Sequence, residues 1–392
     1  MPKKLLIVVN VDWFFLSHRL PIALGALAEG YEVHIATEIT DKLAEIESHG
    51  LIVHPLAIKR NNSNLFGAIN LIKDLFDICR TVQPDVAHFV TIKPVLLGGI
   101  VARFAKVPRM VAAISGLGFL FINDSFRSRV TRAIAVQLYR FSLGHKNLCI
   151  IVQNSHDLAT IRNLTQLPDS SFRLLSGSGV DLSNYSPQLE PTGIPVVIFA
   201  ARMLLDKGVV EFVNAAKLLK SKGIISRFIL VGEPDLANPT SITTTQLEDW
   251  HKEGIIEWWG KRNDIPQVFA QANLVVLPSY YGEGLPKVLI EAAACGRAII
   301  TTDNPGCREA IEPDVTGLMV PIKDTQSLAN AIEKLIIDPD LRHQMGTAGR
   351  KRAEEIFPIE KIVAAHLEIY RDSIGNFAEA TVSPVVKLVN KT

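Results

Sequence analysis

The chain has 392 residues, more than one hydrophobic core usually supports, so two domains are expected. Its 41 basic and 40 acidic residues leave a net charge of +1, which excludes a globally cationic nucleic-acid binder and leaves any electrostatic preference to a local patch. Cys79, Cys149, Cys295 and Cys307 stand in mostly apolar contexts with no Cys-x-x-Cys spacing, the pattern of reduced thiols in a cytoplasmic protein rather than of metal ligands. No apolar run reaches the ~18 residues of a membrane span, and the apolar part of MPKKLLIVVNVD ends too early for a cleavable signal.

Short apolar runs alternate with longer amphipathic segments, the signature of parallel α/β sheets. In the first half, strands are predicted at 5–9, 32–36, 51–55, 85–89, 110–114, 149–152 and 172–175. The first leads into Asn10-Val-Asp-Trp-Phe-Phe, with no glycine before Gly25, so the Gly-x-Gly-x-x-Gly turn of a nicotinamide site is missing. His18 and Arg19 follow this strand and Lys93 follows a later one, positions where an anion such as a diphosphate can sit. A helix is predicted over 64–82, with Leu65, Ile69, Ile72, Leu75, Phe76 and Cys79 at helical spacing. His88 ends the strand 85–89, as a ligand contact or a satisfied core histidine.

From Phe119 to Lys146 an apolar cluster, Phe119 to Ile122, precedes Arg127, Arg129, Arg132, Arg140, His145 and Lys146. Such a segment suits an interface with anionic lipid headgroups, and equally an ordinary helix with solvated arginines. The proline-rich stretch 187–195 (PQLEPTGIP) reads as a linker, which gives domains at 1–186 and 196–365, followed by a crossing helix end and tail at 366–392.

The strand–helix alternation restarts with strands at 196–200, 228–231, 255–258, 274–277 and 298–301, then helices at 325–337, 339–356 and 358–373. Arg202 and Lys207 follow the strand 196–200, at the edge where open parallel sheets bind ligands. A guanidinium grips phosphate bidentately and an ammonium adds a point charge. Residues 278–302, PSYYGEGLPKVLIEAAACGRAIITT, are the most informative stretch. A helix is predicted to start at Leu285 with Pro286 in its first turn, so free N–H groups and a positive dipole end make an anion site. Glu283 precedes it and Glu291 lies inside it; carboxylates repel phosphate and suit hydroxyls, and an anion flanked by two polyols is a sugar nucleotide.

The pattern Glu283-Gly-Leu-Pro-x4-Glu291-Ala, with Arg202, Lys207-Gly208, Trp259-Gly260, Asp264-Ile265, Gly306-x-x-Glu309 and Thr316-Gly317-Leu318 in order, resembles the retaining glycosyltransferases of family 4. In the first half, Asn10-x-Asp12-Trp-Phe-Phe-x-x-His18-Arg19, Lys93-Pro94 and Ser115-Gly-Leu-Gly-Phe119 resemble members acting on polyprenyl-diphosphate-linked sugars in surface-polysaccharide or glycan assembly. The resemblance implies an α/β GT-B fold, two Rossmann-like domains facing across a cleft with a last helix crossing back to the first. It implies a hexosyl- or N-acetylhexosaminyltransferase, UDP-sugar favoured, peripheral on the inner face of a cytoplasmic membrane. On its pattern Glu291 meets the ribose, Glu283 the sugar hydroxyls, and the Gly284 and Leu285 amides the phosphates, while Arg262 and Ile265 frame the base. His88 orients donor or acceptor, and Glu309 either touches the donor or caps a helix. With no Asp-x-Asp triad, Arg202 and Lys207 are expected to replace a metal, and no cofactor is expected. A sugar-nucleotide epimerase and a non-catalytic membrane scaffold are the competing readings; donor conversion without an acceptor, or absence of donor binding, would separate them.

Overall fold

The run Leu5 to Val9 is buried side chain by side chain, and so are Val86–Val90, Leu148–Val152, Val196–Ala200 and Leu274–Leu277. Strands apolar on both faces need helices on both faces, which parallel βαβ crossovers supply. The computed structural model describes residues 2–58, 65–116, 136–236 and 238–372. Among the described residues the first sheet contains β1 (Lys4–Val11), β2 (Glu32–Glu38), β3 (Ile52–Pro55), β4 (Val86–Val90), β5 (Arg109–Ile114), β6 (Leu148–Val152) and β7 (Phe172–Leu174). Its order is β3-β2-β1-β4-β5-β6-β7, all parallel.

The second sheet repeats the plan with β8 (Val196–Ala200), β9 (Arg227–Val231), β10 (Glu257–Trp258), β11 (Leu274–Leu277), β12 (Ala298–Thr302) and β13 (Gly317–Val320), in the order β10-β9-β8-β11-β12-β13. Both are Rossmann-like, and each reverses strand order beside its first strand, between β1 and β4 and between β8 and β11, where ligands bind beyond the carboxyl ends. This is the expected two-domain α/β architecture. β13 was quoted only as a motif in the sequence, and β10 is shorter than predicted because the chain turns at Gly254, with φ of +65°, just before it.

The domain limits differ from those read in the sequence. Val180 already packs in the second core, and the chain crosses there and returns at Phe357. The two crossings are bonded together: the Val180 N–H donates to the Phe357 carbonyl at 2.9 Å and the Ile359 N–H to the Val180 carbonyl at 3.0 Å. The helix Ile359–Arg371 lies wholly on the first domain, where Leu367, Ile369 and Tyr370 join the core around β1 and Val363 sits over Gly25. The stretch 187–195 has neither helix nor strand, yet it is strapped down: buried Arg342 holds the Glu190 carboxylate at 2.7 Å, and Asn273 donates to Glu190 and to the Pro191 carbonyl. A buried guanidinium needs such a partner, so this connection packs as part of the second domain.

All four cysteines are buried free thiols, and burial pushes Cys149 up to about 11. Among the described residues no helix is long and apolar enough to cross a membrane. Of the segment from Phe119 to Lys146, residues 119–135, with Arg127, Arg129 and Arg132, lie outside the described residues, as does the tail after 372.

Candidate functional site

The second domain's half of the site is built on the carboxyl ends of β8 and β11. After β8, Arg202 donates to the Asp235 carboxylate at 2.6 Å. Gly232, with φ of +136°, lets the turn after β9 approach this loop; a Cβ there would meet the Ala201 carbonyl at 1.9 Å. One turn of 3-10 helix, Leu205–Lys207, then delivers Lys207, whose ammonium pairs with Glu283 and lies 5.5 Å from the Tyr281 ring. Ser279, just past β11, donates to the same Glu283 oxygen at 3.1 Å.

The helix carrying Glu291 spans Lys287–Ala294, two residues later than expected. Pro286 is its extended N-cap, with φ −64° and ψ 118°, and a residue before proline is pushed out of the helical region, so Leu285 cannot open the helix. Glu291 is 7% exposed; Tyr185 donates to its Oε1 at 2.7 Å and Lys287 pairs with the same oxygen at 3.5 Å. Burial pushes its carboxyl up, while Lys287 and Tyr185 pull it down. Glu291, Arg202, Arg262 and Ile265 line a cavity of about 430 Å³. Arg262 is clasped by Asp264 and lies 5.8 Å from the Trp259 ring. Asp264 stands at the N-cap of Ile265–Ala270 but makes no side-chain cap bond, so its carboxylate serves Arg262.

In the first domain, Asp12 is fully buried and accepts from the Thr40 N–H at 2.7 Å, the Thr40 hydroxyl at 2.8 Å and the Lys42 N–H at 3.1 Å. This anchor sets the helix Asp12–His18, whose Trp13, Phe14 and His18 face a cleft of about 510 Å³ lined also by Lys93, Arg202, Lys207 and Glu283. His18 stacks on Phe14 with centroids 4.2 Å apart. Burial, with Lys287 and Arg19 nearby, holds its imidazole well below the usual range and therefore neutral at pH 7. Burial also lowers Lys93.

Two expected residues do not reach this cleft. His88 is fully buried, its Nδ1 hydrogen-bonded to the Tyr370 hydroxyl at 2.7 Å and its ring 5.6 Å from His366. Its strand is covered on both faces, and the returning helix Ile359–Arg371 takes the face His88 points to, so its place is in the core. Arg19 is 2% exposed; it donates to the His18 carbonyl at 2.9 Å and reaches the Ser115 hydroxyl at 3.4 Å from behind the cleft wall.

One further expectation changes, and one open alternative is decided, because the opposite domain claims the groups. The Leu285 N–H, assigned to phosphate, donates to Gln153 Oε1 at 3.1 Å. Glu309 accepts from the Ser155 N–H at 3.1 Å and hydroxyl at 2.7 Å, which makes it a cap for the first-domain helix Ser155–Thr165. Gln153, Asn154, Tyr185 and Asp235 were not singled out in the sequence as site residues. Only Asn154 carried a local signal, a capping Asn before Ser-x-Asp directly after an apolar strand. Among the described residues no group of three or more His, Cys, Asp or Glu is placed to hold a metal.

Residues 184–352 match the family described as glycosyl transferases group 1, and residues 4–154 match the glycosyl transferase 4-like family. The chain is 29% identical over 387 residues to the N,N'-diacetylbacillosaminyl-diphospho-undecaprenol alpha-1,3-N-acetylgalactosaminyltransferase of Campylobacter jejuni, covering 92% of this chain and 99% of that protein. In structure it is similar to the sucrose-phosphate synthase of Thermosynechococcus elongatus, with TM-score 0.77, 21% identity, and 94% and 98% of the two chains covered. It is also similar to Anabaena HepE in complex with UDP, with TM-score 0.72, 17% identity, and 93% and 98% covered.

The capped helix Ser155–Thr165 carries a titratable group beside Asn154. Burial pushes Asp157, beside Asn154, up to about 6, the Asn154 amide pulling the other way. An acid raised above its unfolded value of 3.8 favours the fold when protonated; that contribution is complete below 3.8 and lost as pH rises through about 6. Relative to wild type, Asp157→Asn should therefore gain about 1–3 kcal/mol of stability between pH 4 and pH 7.5. Urea unfolding of both proteins at the two pH values measures the change.

Proposed function

We propose a defined reaction for a chain that belongs to the glycosyl transferases, group 1 in its second half and 4-like in its first. The enzyme moves a sugar from a nucleotide-sugar, a UDP-sugar being favoured, to a polyprenyl-diphosphate-linked saccharide, with retention at the anomeric carbon, in polysaccharide or glycan assembly. The observation that carries this reading is the convergence of Arg202, Lys207 and Glu283 on one cleft shared by both domains, with Glu291 at the floor of the adjoining cavity. The acceptor class is supported by the Campylobacter relative, whose name places its acceptor on diphospho-undecaprenol. HepE holds UDP, which makes uridine the base to test first. Membership of a transferase family counts against the epimerase and scaffold readings.

Tyr185 and Lys287 both engage Oε1 of Glu291, so Oε2 is the oxygen for the ribose hydroxyls. Glu283 addresses the sugar hydroxyls, while Arg202 and Lys207 address the diphosphate. In the transfer, the C1–O bond to the diphosphate breaks, the acceptor oxygen bonds to C1 on the same face, and the acceptor proton passes to a leaving phosphate oxygen. No covalent residue is assigned. Charge grows on the departing diphosphate, where preorganised cations count most, and the two basic side chains take the role of a divalent ion. His18 and Lys93 sit where the acceptor diphosphate would enter. Product analysis with a panel of UDP- and GDP-sugars against a polyprenyl-diphosphate sugar tests the whole reading; no glycosylated lipid from any donor would sink it.

Glu291→Ala should weaken binding of the free nucleoside diphosphate by about 1.5–3 kcal/mol, the loss of charge-assisted hydrogen bonds. Calorimetry checks it, and unchanged affinity removes Glu291 from the site. Arg202→Ala and Lys207→Ala should lower kcat more than donor affinity, and transfer should survive EDTA; a strict divalent-metal requirement contradicts this leaving-group chemistry.

Peripheral attachment through Phe119 to Lys146 belongs to the same reading. The protein should pellet with anionic vesicles and be released as salt rises, because headgroup contacts are screened within ~10 Å at 0.1 M. Arg127, Arg129 and Arg132 changed together to glutamate should abolish pelleting and leave nucleotide affinity intact. Wild-type protein that never pellets makes the segment structural.

A further inference from the structure

At the carboxyl end of β6, Gln153 and Asn154 of the first domain grip the loop that bears Glu283, and Ser155 beside them holds Glu309 on the helix Pro305–Ala310. Asn154 is fully buried, and its Nδ2 donates to the Gly284 carbonyl at 3.0 Å and faces the Glu283 carbonyl at 3.3 Å. Its Oδ1 accepts from the Asp157 N–H at 2.7 Å, which caps Ser155–Thr165. Gln153 takes the Leu285 N–H, and Ser155 binds Glu309. The approach is close enough to need glycines on both sides: a Cβ on Gly284 would meet Gln153 Oε1 at 2.2 Å, and one on Gly116 would meet the Gly282 carbonyl at 2.2 Å. Among the described contacts, the Glu283 side chain is held by its own domain through Lys207 and Ser279, while the backbone beneath it is held from the other domain.

We propose that Asn154, assisted by Gln153, is a positioning residue: it couples closure of the two domains to the shape of the Glu283–Gly284–Leu285 loop that addresses the donor sugar. This rests on the transferase reading above. Nucleotide contacts at Glu291, Arg262 and Ile265 lie within the second domain and do not pass through Asn154, so the nucleotide binds whether or not the clamp is made. The sugar and its bond to phosphate are set only when the first domain has closed. Misplacing reacting groups by about 1 Å costs on the order of a hundredfold in rate, so the effect belongs in turnover.

Asn154→Ser separates this role from helix capping. Serine caps about as well as asparagine, but it is too short to reach across to the Gly284 carbonyl. The variant, which also gives up the amide's 2.9 Å contact with Asp157 Oδ2, should keep its affinity for UDP within about twofold, while kcat falls roughly ten- to a hundredfold. In the free protein, amide hydrogen exchange at Leu285 should rise about tenfold or more, since local opening sets that rate. Gln153→Ala, which leaves the cap intact, should accelerate the same exchange and is the second probe if the serine variant folds poorly. Wild-type exchange at Leu285 in either variant, or a loss of UDP affinity equal to the loss of kcat/KM, overturns the proposal. A wild-type protein that transfers from no nucleotide-sugar of the panel would sink the transferase reading instead, and the exchange result would still judge the clamp.

Discussion

Lys207 and Glu283 meet across the mouth of the cleft with side chains only 13% and 12% exposed, and the rest of the site is arranged around that pair. A nearly dry ion pair survives only when further hydrogen bonds satisfy it, and Ser279 gives one. Removing one partner would leave a stranded charge, worth about 3–5 kcal/mol. The pair therefore ties the turn after β8 to the loop after β11, the two strand ends that flank the switch point. Gly208, packed at φ of +81° against the Pro278 carbonyl, reinforces the same seam.

Closure between domains is constrained just as firmly. The crossings at Val180 and at Phe357–Ile359 are hydrogen-bonded to each other, so the domains are joined at one edge by two chain segments acting as a unit. At the other edge they touch through Gln153, Asn154 and Ser155. Arg109, almost wholly buried and 3.8 Å from Asp372, and Tyr370 against His88 fix the last helix on the first domain. The double crossing and the carbonyls held by Asn154 are therefore two places where the domains are hydrogen-bonded across their boundary by way of the backbone.

Much of this was readable in the sequence, and the boundary of legibility has a physical cause. Strands with every residue apolar, helices with helical spacing at 325–337 and 339–356, and the punctuation around Glu283 are local patterns, and they appear where the residues predict them. Helix onset at Lys287 rather than Leu285 was also local, given the restriction a proline places on its predecessor. What could not be read was pairing across long separations. Nothing near His88 announces Tyr370, 282 residues away, and nothing near Leu285 announces Gln153, 132 residues away. The same holds for Glu309, whose role as a helix cap depends on a helix in the other domain. Arg19 is separated from β1 by the helix Asp12–His18, and tertiary packing turns it inward.

On the function proposed above, the charge arrangement gives one cleft the means to take both an anion and polyols. Arg202, Lys207, Arg262 and Lys287 each have a carboxylate partner: Asp235, Glu283, Asp264 and Glu291. Each of these four cations is thereby compensated before any ligand arrives. A diphosphate that takes over Arg202 and Lys207 replaces one anionic partner with another, a smaller electrostatic change than stripping water from bare cations. The exchange releases Glu283, whose oxygens then need donors, and hydroxyls of the attached sugar are the nearest that a nucleotide-sugar brings. Phosphate binding thus creates the hydrogen-bonding demand that the sugar satisfies. On that reading, a nucleoside diphosphate alone would free the same carboxylate without a sugar hydroxyl to meet it, and the paired charges would favour the intact donor over the spent one.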